Sequence, residues 1–241
     1  MTSSGEAGNI VGMSLFQLTD EIIFPQPSLA DKNGLLAIGG DLHPDRLVAA
    51  YRSGIFPWFS PGDPLLWWFV DPRLVIFLTE FKISRRLARD IKQGRFRVTY
   101  DRAFARVIAS CAQIRQEEGE GTWISGQMQN AYCRLHELGY AHSVECWQGD
   151  ILAGGLYGIA LDRIFFGESM FTRVSNGSKV ALAALVSRLN KMNFHLIDCQ
   201  MTTHHLLSFG AREISGTEFL DQLKLSIQTT VPGGKWCDDV F

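Results

Sequence analysis

Several features that define other classes of protein are missing from this chain of 241 residues. No apolar run approaches the roughly 20 residues that a membrane-spanning helix needs. The N-terminus has neither a basic start nor a continuous apolar stretch, which argues against a signal peptide. The five cysteines form no CxxC pair, so we expect neither a disulfide framework nor a structural zinc site. These absences predict a reduced, cytoplasmic protein without a membrane segment.

One stretch of the chain is strongly basic although the formal net charge is −2. Residues 82–106 contain nine basic and two acidic residues. Within this stretch, Arg85, Arg89 and Lys92 share one face of a predicted helix that Ser84 can cap. This face is either a solvated helix surface or a site for the phosphate groups of a polyanion.

The hydrophobic pattern is clearest between residues 143 and 200. Apolar runs at 143–147, 151–160 and 164–168 are separated by turns and predict three consecutive strands. Residues 179–191 have helical spacing, and 196–200 form a further short apolar strand. The pattern indicates a sheet with at least one packed helix, which is the main core of the protein.

An aromatic, proline-rich segment at residues 55–69 precedes this core. It is either a rigid turn packed on the core or one wall of a pocket for a flat or apolar ligand. A domain junction is predicted at residues 71–73, so that 1–72 form a small N-terminal domain and 73–241 a larger one.

Polar residues with possible chemical roles stand at the predicted ends of two strands, at Glu168 and Asp198. Asp198 and Gln200 are two residues apart and should point to the same side of a strand. We expect the Asp198 carboxylate to accept a hydrogen bond from the Gln200 side-chain amide, whose oxygen could then orient an amine. An amide cannot hold a proton at neutral pH, so the proton must pass to Asp198, Glu168, water or the substrate. The alternative is a polar pair that caps a strand.

Other reactive residues form no catalytic pattern. The segment GESMF at residues 167–171 lacks the second glycine of a nucleophile elbow. His204 and His205 are adjacent and cannot present two ligands from one face. Cys199 is expected to face the core and to be inert. The sequence therefore predicts no metal site and no cofactor.

Nine short motifs occur in order between residues 22 and 225. They are NGLLAIGGDL at 33–42, YRSGIFPWF at 51–59, PLLWW at 64–68 with DPR at 71–73, GTWI at 121–124, YCRLHELG at 132–139, HSVE at 142–145, GGLYG at 154–158, GESMF at 167–171 and LIDCQ at 196–200. With these motifs the chain resembles the bacterial leucyl/phenylalanyl-tRNA–protein transferases. The resemblance implies an α+β fold, with a small N-terminal domain joined to a C-terminal domain like the GNAT acetyltransferases.

The resemblance also implies a reaction. Leu or Phe, and less well Met, would pass from an aminoacyl-tRNA to the N-terminal Arg or Lys of an acceptor protein, which is then marked for degradation by the N-end rule. Asp198, Gln200 and Glu168 would serve the amine and the reacting carbonyl, with no metal or cofactor.

The same resemblance assigns two binding regions. An apolar slot for the transferred side chain would be lined by Trp58, Tyr51, Leu156, Phe165, Met170 and Leu185. The phosphates of the tRNA acceptor stem would meet Arg85, Arg89 and Lys92. The basic cluster of the family extends one residue further, where this chain has Gln93.

Two other functions fit parts of the sequence. A CoA-dependent N-acetyltransferase on the same fold would need a pyrophosphate loop with a glycine pair, which residues 173–178 lack. An RNA-binding module that used only the basic helix would leave Glu168, Asp198 and Gln200 without a role.

Overall fold

The computed structural model describes residues 15–117, 119, 121–228 and 234–236. The sequence predicts disorder for residues 1–12 and an irregular tail from Thr229, and these predictions lie outside the described residues except at 234–236. The helices in this part of the chain are α1 Pro44–Arg52, α2 Arg85–Lys92, α3 Phe104–Glu117, α4 Gly126–Glu137, α5 Gly177–Lys191, α6 His204–Leu207 and α7 Gly216–Ser226. The strands are β1 Phe16–Leu18, β2 Leu35–Gly39, β3 Phe56–Pro57, β4 Leu66–Trp68, β5 Arg73–Phe77, β6 Arg97–Tyr100, β7 Ala141–Gln148, β8 Ile151–Leu161, β9 Ile164–Thr172, β10 Leu196–Gln200 and β11 Arg212–Ile214. None of the described helices has the length and hydropathy of a membrane span.

The first four strands form a small sheet in the order β1-β2-β4-β3. Part of the aromatic segment builds this sheet, because β3 and β4 pair antiparallel through Phe56 and Trp68. Trp67 is fully buried, and its indole nitrogen donates to the carbonyl of Gly39 at 2.8 Å. The sequence pattern did not reveal β1, β3 and β4, because strands of two or three residues are too short to show alternation.

The remaining strands form a sheet in the order β11-β5-β10-β9-β8-β7-β6. Its paired strands are antiparallel except for β9 and β10, which are parallel. The β9–β10 ladder ends at Phe166 and Asp198, although β9 continues to Thr172 and β10 to Gln200. Beyond this point the two strands no longer pair, and the sheet opens there.

Helices cover both faces of the large sheet. On one face α3 packs on β8 and β9, and on the other α5 packs on β7 and β8. Each face of the sheet therefore has its own apolar cluster. The cluster on the α3 side contains Phe104, Tyr157 and Phe166. The cluster on the α5 side contains Leu156, Phe165 and Leu185. The first cluster also contains residues of the small sheet, so both sheets share a core. The mixed α+β class predicted from the sequence is confirmed.

Two predicted boundaries are wrong for physical reasons. The strand predicted at 164–168 continues to Thr172, so Glu168 lies inside β9 rather than at its end. The apolar spacing also predicts a helix over residues 101–112, but the helix begins at Phe104, because Asp101 has a φ of 56° that a helix excludes. The Asp101 carboxylate instead accepts hydrogen bonds from the backbone nitrogen of Ser143 and the ring of His142.

Candidate active site

A cavity of about 960 Å³ lies at the opening between β9 and β10. Its wall combines the aromatic segment with α3, α5 and the ends of both strands. The residues central to the site are Trp58, Trp123, Leu156, Phe165, Glu168, Met170, Leu182, Leu185, Ile197 and Gln200. This volume lies in the range of sites for small molecules.

Glu168 is the buried acid of the cavity. Tyr157 pairs with Ser169 and Gly158 with Gly167, so Glu168 is the extra residue of a β-bulge. Its Oε1 accepts hydrogen bonds from the Tyr51 hydroxyl at 2.7 Å and from Nε2 of Gln200 at 3.1 Å. The Tyr132 hydroxyl donates to Oε2 at 2.9 Å. The bulge thus turns a carboxyl group of the sheet toward donors from three other segments.

Burial raises the pKa of Glu168 to about 7, and the nearby charge of Asp198 adds to the rise. Hydrogen bonds from Tyr51, Tyr132 and Gln200 act in the opposite direction and lower this pKa. The two tyrosine hydroxyls also contact each other. Three oxygen–oxygen contacts therefore share only two hydroxyl protons while the carboxylate is ionised. A proton on Glu168 completes this ring, so the site can accept one near neutral pH.

The tyrosines that bond to Glu168 remain donors. Burial raises the pKa of both Tyr51 and Tyr132 well above the usual value, and the neighbouring Glu168 charge adds to the effect. Tyr51 is fully buried and is not among the described residues that line the cavity. The sequence analysis placed Tyr51 in the slot for the transferred side chain, whereas here its hydroxyl bonds to Glu168 and its ring packs edge-on against Phe166.

Asp198 has a different partner from the one the sequence suggested. Its carboxylate forms a bidentate ion pair with Arg73 at 2.8 and 2.7 Å, and both side chains are fully buried. It also accepts from the backbone nitrogen of Gln200 at 2.9 Å, whereas the Gln200 side chain bonds to Glu168. The predicted Asp198–Gln200 side-chain bond is wrong, because a β-bulge and a φ of 61° at Gln200 break the alternation of the strand.

This arrangement divides the roles of the three polar residues. Asp198 does not line the cavity and cannot receive a proton directly from a molecule bound there. Glu168 and Gln200 both line it. With Nε2 of Gln200 donating to Glu168, the amide oxygen has no hydrogen-bond partner among the described residues and can accept one from an N–H group.

Five of the six predicted slot residues line the cavity: Trp58, Leu156, Phe165, Met170 and Leu185. Trp58 is 38 % exposed at the mouth, and its ring meets that of Trp68 edge-on at 5.5 Å. The aromatic segment therefore serves both purposes weighed from the sequence. Phe56 and Phe59 are buried in the core, while Trp58 forms part of the cavity wall.

Sequence reasoning missed Arg73, Tyr132 and Leu182 as parts of the site. Arg73 stood in the predicted domain junction, and Tyr132 opened a motif used only for the family resemblance. A buried arginine needs a carboxylate partner, but the sequence did not show that Arg73 is buried. Helical spacing placed Leu182 inward without indicating a cavity.

The predicted phosphate-binding residues lie on α2, away from the cavity wall. Arg85, Arg89 and Lys92 are exposed, and Ser84 caps the helix by accepting from the nitrogen of Leu87 at 3.1 Å. The Asn176 amide donates to Asp90 at 2.8 Å, which holds α2 against the start of α5. Ser178 on α5 lines the cavity, so the basic helix lies beside one end of it.

Cys199 packs against the apolar cluster that contains Leu156 and Phe165, and it also borders the cavity. Burial strongly raises the pKa of its thiol, with a further contribution from Asp198, so the thiol is not an activated nucleophile. Within the described parts of the chain, no group of three or more histidine, cysteine, aspartate or glutamate side chains could hold a metal ion.

The fold and the cavity define an α+β enzyme whose site suits acyl transfer, with an apolar slot beside a carboxyl group that can take a proton. Comparison with known proteins is more specific. The family described as leucyl/phenylalanyl-tRNA protein transferase matches residues 75–224, and the family described as its N-terminal domain matches residues 40–71. The chain belongs to the leucyl/phenylalanyl-tRNA–protein transferase family.

Individual relatives agree with this assignment. The leucyl/phenylalanyl-tRNA–protein transferase of Syntrophobacter fumaroxidans is 55% identical over 224 residues, which cover 93% of this chain and 96% of the relative. That of Desulforapulum autotrophicum is 52% identical, with 93% and 98% covered. A solved aminoglycoside acetyltransferase from a soil metagenome has a TM-score of 0.38 and 9% identity, covering 61% of this chain and 98% of its own.

Proposed function

We propose that this protein transfers Leu or Phe, and less well Met, from an aminoacyl-tRNA to the N-terminal Arg or Lys of an acceptor protein. The modified acceptor would then be marked for degradation. Family membership supports the tRNA donor and the protein acceptor. The observation that carries the proposal is the position of Glu168, a proton-accepting group that lines the same cavity as the apolar slot and Gln200.

The apolar part of the cavity suits the side chains of Leu and Phe. Leu156, Phe165 and Leu185 are buried, and the partly buried Met170 packs against the same cluster. Leucine and methionine side chains can adjust to more than one shape. Charged side chains would be costly to bury there. The slot therefore supports the transfer of several large apolar amino acids and not of a single one.

The proposed reaction forms a C–N bond and breaks the C–O bond of the aminoacyl ester. The attacking amine must lose a proton, which Glu168 accepts and later returns to the ribose oxygen that leaves. Gln200 accepts a hydrogen bond from the amine and orients it. The ester is already activated, so positioning and proton transfer supply the catalysis, and proton transfer alone typically contributes about 10²–10⁴-fold.

Asp198 is a positioning residue in this proposal. Through the buried pair with Arg73 and its bond to the backbone nitrogen of Gln200, it fixes the end of β10. This role replaces the direct contact with the amine expected from the sequence. The tRNA acceptor stem would lie on the exposed side chains of Arg85, Arg89 and Lys92, beside the cavity.

We also propose that residues 1–72 form a small N-terminal domain and 73–241 a GNAT-like catalytic domain. The four-stranded sheet lies entirely before residue 72, and the seven-stranded sheet begins at Arg73. The mainly antiparallel large sheet, with helices on both faces, supports the second assignment. The predicted cytoplasmic location suits an enzyme that uses charged tRNA and stays a prediction.

One assay tests the proposed activity against its alternatives. The protein is incubated with labelled Leu-tRNA, acetyl-CoA and a peptide that begins with Arg, and the product is identified by mass spectrometry. We expect leucine on the N-terminus of the peptide. Acetyl transfer would favour the CoA-dependent alternative, and tRNA binding without either product would favour an RNA-binding module.

Two controls define the acceptor. A peptide of the same sequence with an acetylated N-terminus should give no product, because it has no free amine. A peptide that begins with Glu should be a poor acceptor. Equal transfer to the Arg and Glu peptides would contradict the assignment of a cationic acceptor while leaving the tRNA donor intact.

A further inference from the structure

A second cavity of about 350 Å³ lies at the edge of the large sheet, away from the site described above. It is lined by Arg97 and Thr99 of β6, Arg102, and Trp147 of β7. β6 is the last strand of the sheet among the described residues, so none of their strands covers this edge. Arg97, Thr99 and Arg102 belong to the basic stretch at residues 82–106. In this stretch, the proposed function assigns a role only to the basic residues of α2.

Trp147 provides a fixed platform for two arginines. The guanidinium carbon of Arg97 lies 5.5 Å from the centre of the indole ring, and that of Arg106 on α3 lies 5.0 Å from it. The indole nitrogen donates to the Thr99 hydroxyl at 2.8 Å, and Thr99 donates to Glu145 at 2.5 Å. Cation–π contact with a fixed ring reduces the freedom that the guanidinium groups would lose on binding a ligand.

The positive charge of these arginines is open to solvent. Both side chains are exposed, and no carboxylate of the described residues lies within ion-pair distance of Arg97 or Arg106. Glu145 is fully buried beneath them, and its carboxylate accepts hydrogen bonds from Thr99 and Ser143. Burial raises the pKa of Glu145, while its hydrogen bonds with Ser143 and Thr99 act in the opposite direction.

The arginine pair continues the basic surface of α2 around the sheet edge. Arg95 follows α2 and lies 3.9 Å from the Asp90 carboxylate. Arg97 comes two residues later, at the start of β6. Val98 and Tyr100 face the cluster under α5, whereas Arg97 contacts Trp147 on the α3 side. Because α2 packs on α5, an extended ligand with repeated negative charges would pass around the edge strand β6 to contact both basic groups.

We infer that Arg97 and Arg106, held on Trp147, form a second phosphate-binding site that extends the tRNA contact beyond α2. The inference rests on the proposed function for the identity of the polyanion. Guanidinium groups match phosphate oxygens in geometry as well as charge, and two preoriented groups suit a backbone phosphate. The site adds affinity without reading bases, because Trp147 is only 8 % exposed and lies under the arginines.

The test removes both charges while the platform stays intact. In the double variant Arg97→Gln/Arg106→Gln, we expect the KM for Leu-tRNA at 0.15 M salt to rise about 25-fold, since each phosphate contact contributes about five-fold there. The slope of log Kd against log salt should fall by about 1 for each arginine. The kcat should not change, because neither residue lines the catalytic cavity.

A matched control removes two charges elsewhere. Arg134→Gln/Lys224→Gln alters two exposed residues on α4 and α7 and should leave KM and salt slope close to the wild-type values. A second measurement uses leucyl-adenosine, a donor without a tRNA backbone. The Arg97/Arg106 variant should use this donor as well as the wild type does, which also shows that it is folded.

The outcomes separate this inference from the proposed function. If the wild type transfers leucine but the Arg97/Arg106 variant keeps its KM and salt slope, the second phosphate site is wrong and the proposed function stands. If the control pair weakens tRNA binding equally, the effect is only one of net charge and the inference is also overturned. If the wild type transfers no leucine, the proposed function itself fails.

Discussion

Replacing Glu168 by Gln is the sharpest test of the catalytic proposal, because the variant keeps a hydrogen-bonding side chain and loses the titrating group. General-base assistance by a side chain typically contributes about 10²–10⁴-fold. We therefore expect kcat for leucine transfer to fall by that factor, while the Kd for Leu-tRNA changes little. Single-turnover transfer with a saturating Arg peptide measures kcat, and filter binding measures the Kd.

The pH dependence adds a second signature. Burial raises the pKa of Glu168 to about 7, and the base must be ionised to accept a proton. After division by the fraction of neutral acceptor amine, whose own pKa is about 8 and is the same for both enzymes, the wild-type kcat/KM should rise with pH up to about 7 and then level off. In Glu168→Gln this rise should disappear. A variant that kept both the rate and the rise below pH 7 would refute the assignment of Glu168 as the base.

The same Glu168→Gln substitution that lowers kcat should raise the free energy of unfolding. The pKa of Glu168 is raised from 4.5 to about 7 in the folded protein, so the carboxyl is neutral in both states well below pH 4.5 and its ionisation opposes folding above about pH 7. This penalty is about 3 kcal/mol, at 1.36 kcal/mol for each pKa unit. Glu168→Gln should thus gain up to about 3 kcal/mol of unfolding free energy at pH 8 and little at pH 4. A loss of stability at pH 8 would contradict this account.

Three further changes test other parts of the molecule. Asp198→Ala should cost about 3–5 kcal/mol of unfolding free energy by urea denaturation, because it leaves Arg73 buried without its partner. Charge reversal at Arg85 and Arg89 should weaken tRNA binding and flatten its salt dependence in filter-binding titrations. Leu185→Ala should cost about 2–5 kcal/mol of stability and favour Phe over Leu in competition assays, because it enlarges a buried wall of the slot.

Each of these has a result that would count against it. Normal stability of Asp198→Ala would mean that Arg73 finds another partner, and the hydrophobic pair Arg73→Met/Asp198→Leu should recover much of the lost free energy. An unchanged salt slope would remove the phosphate role of α2. An unchanged ratio of Phe to Leu transfer in Leu185→Ala would place the donor side chain elsewhere in the cavity.

Local patterns were sufficient to predict the regular elements of the large sheet. The apolar run of β8 and the helical spacing of α5 gave both elements within two residues of their observed bounds. The cap of α2 by Ser84 was also predicted and is confirmed. Each of these features is determined by residues that are close together in the sequence. Hydrophobic periodicity and helix capping are patterns of such residues, so the sequence alone predicts them.

The geometry of the site could not be predicted in this way, because it is set by contacts between residues that are far apart in the sequence. The partners of Glu168 include Tyr51, which is 117 residues away, and Tyr132, which is 36 away. One β-bulge lies at Glu168 and the other between Asp198 and Gln200. Each inserts one extra residue into its strand and so decides which side chains face the cavity. Strand spacing singled out Asp198 and Gln200, and the family resemblance implied their roles, but only three-dimensional geometry distinguished the buried ion pair from the cavity-facing amide.

The hydrogen bond from Tyr51 to Glu168 joins the part of the chain before residue 72 to the reacting centre of the part after it. Neither portion can supply the complete ring of hydroxyl and carboxyl groups by itself. A fragment that began at residue 73 would therefore leave Glu168 with only one of its two tyrosine donors.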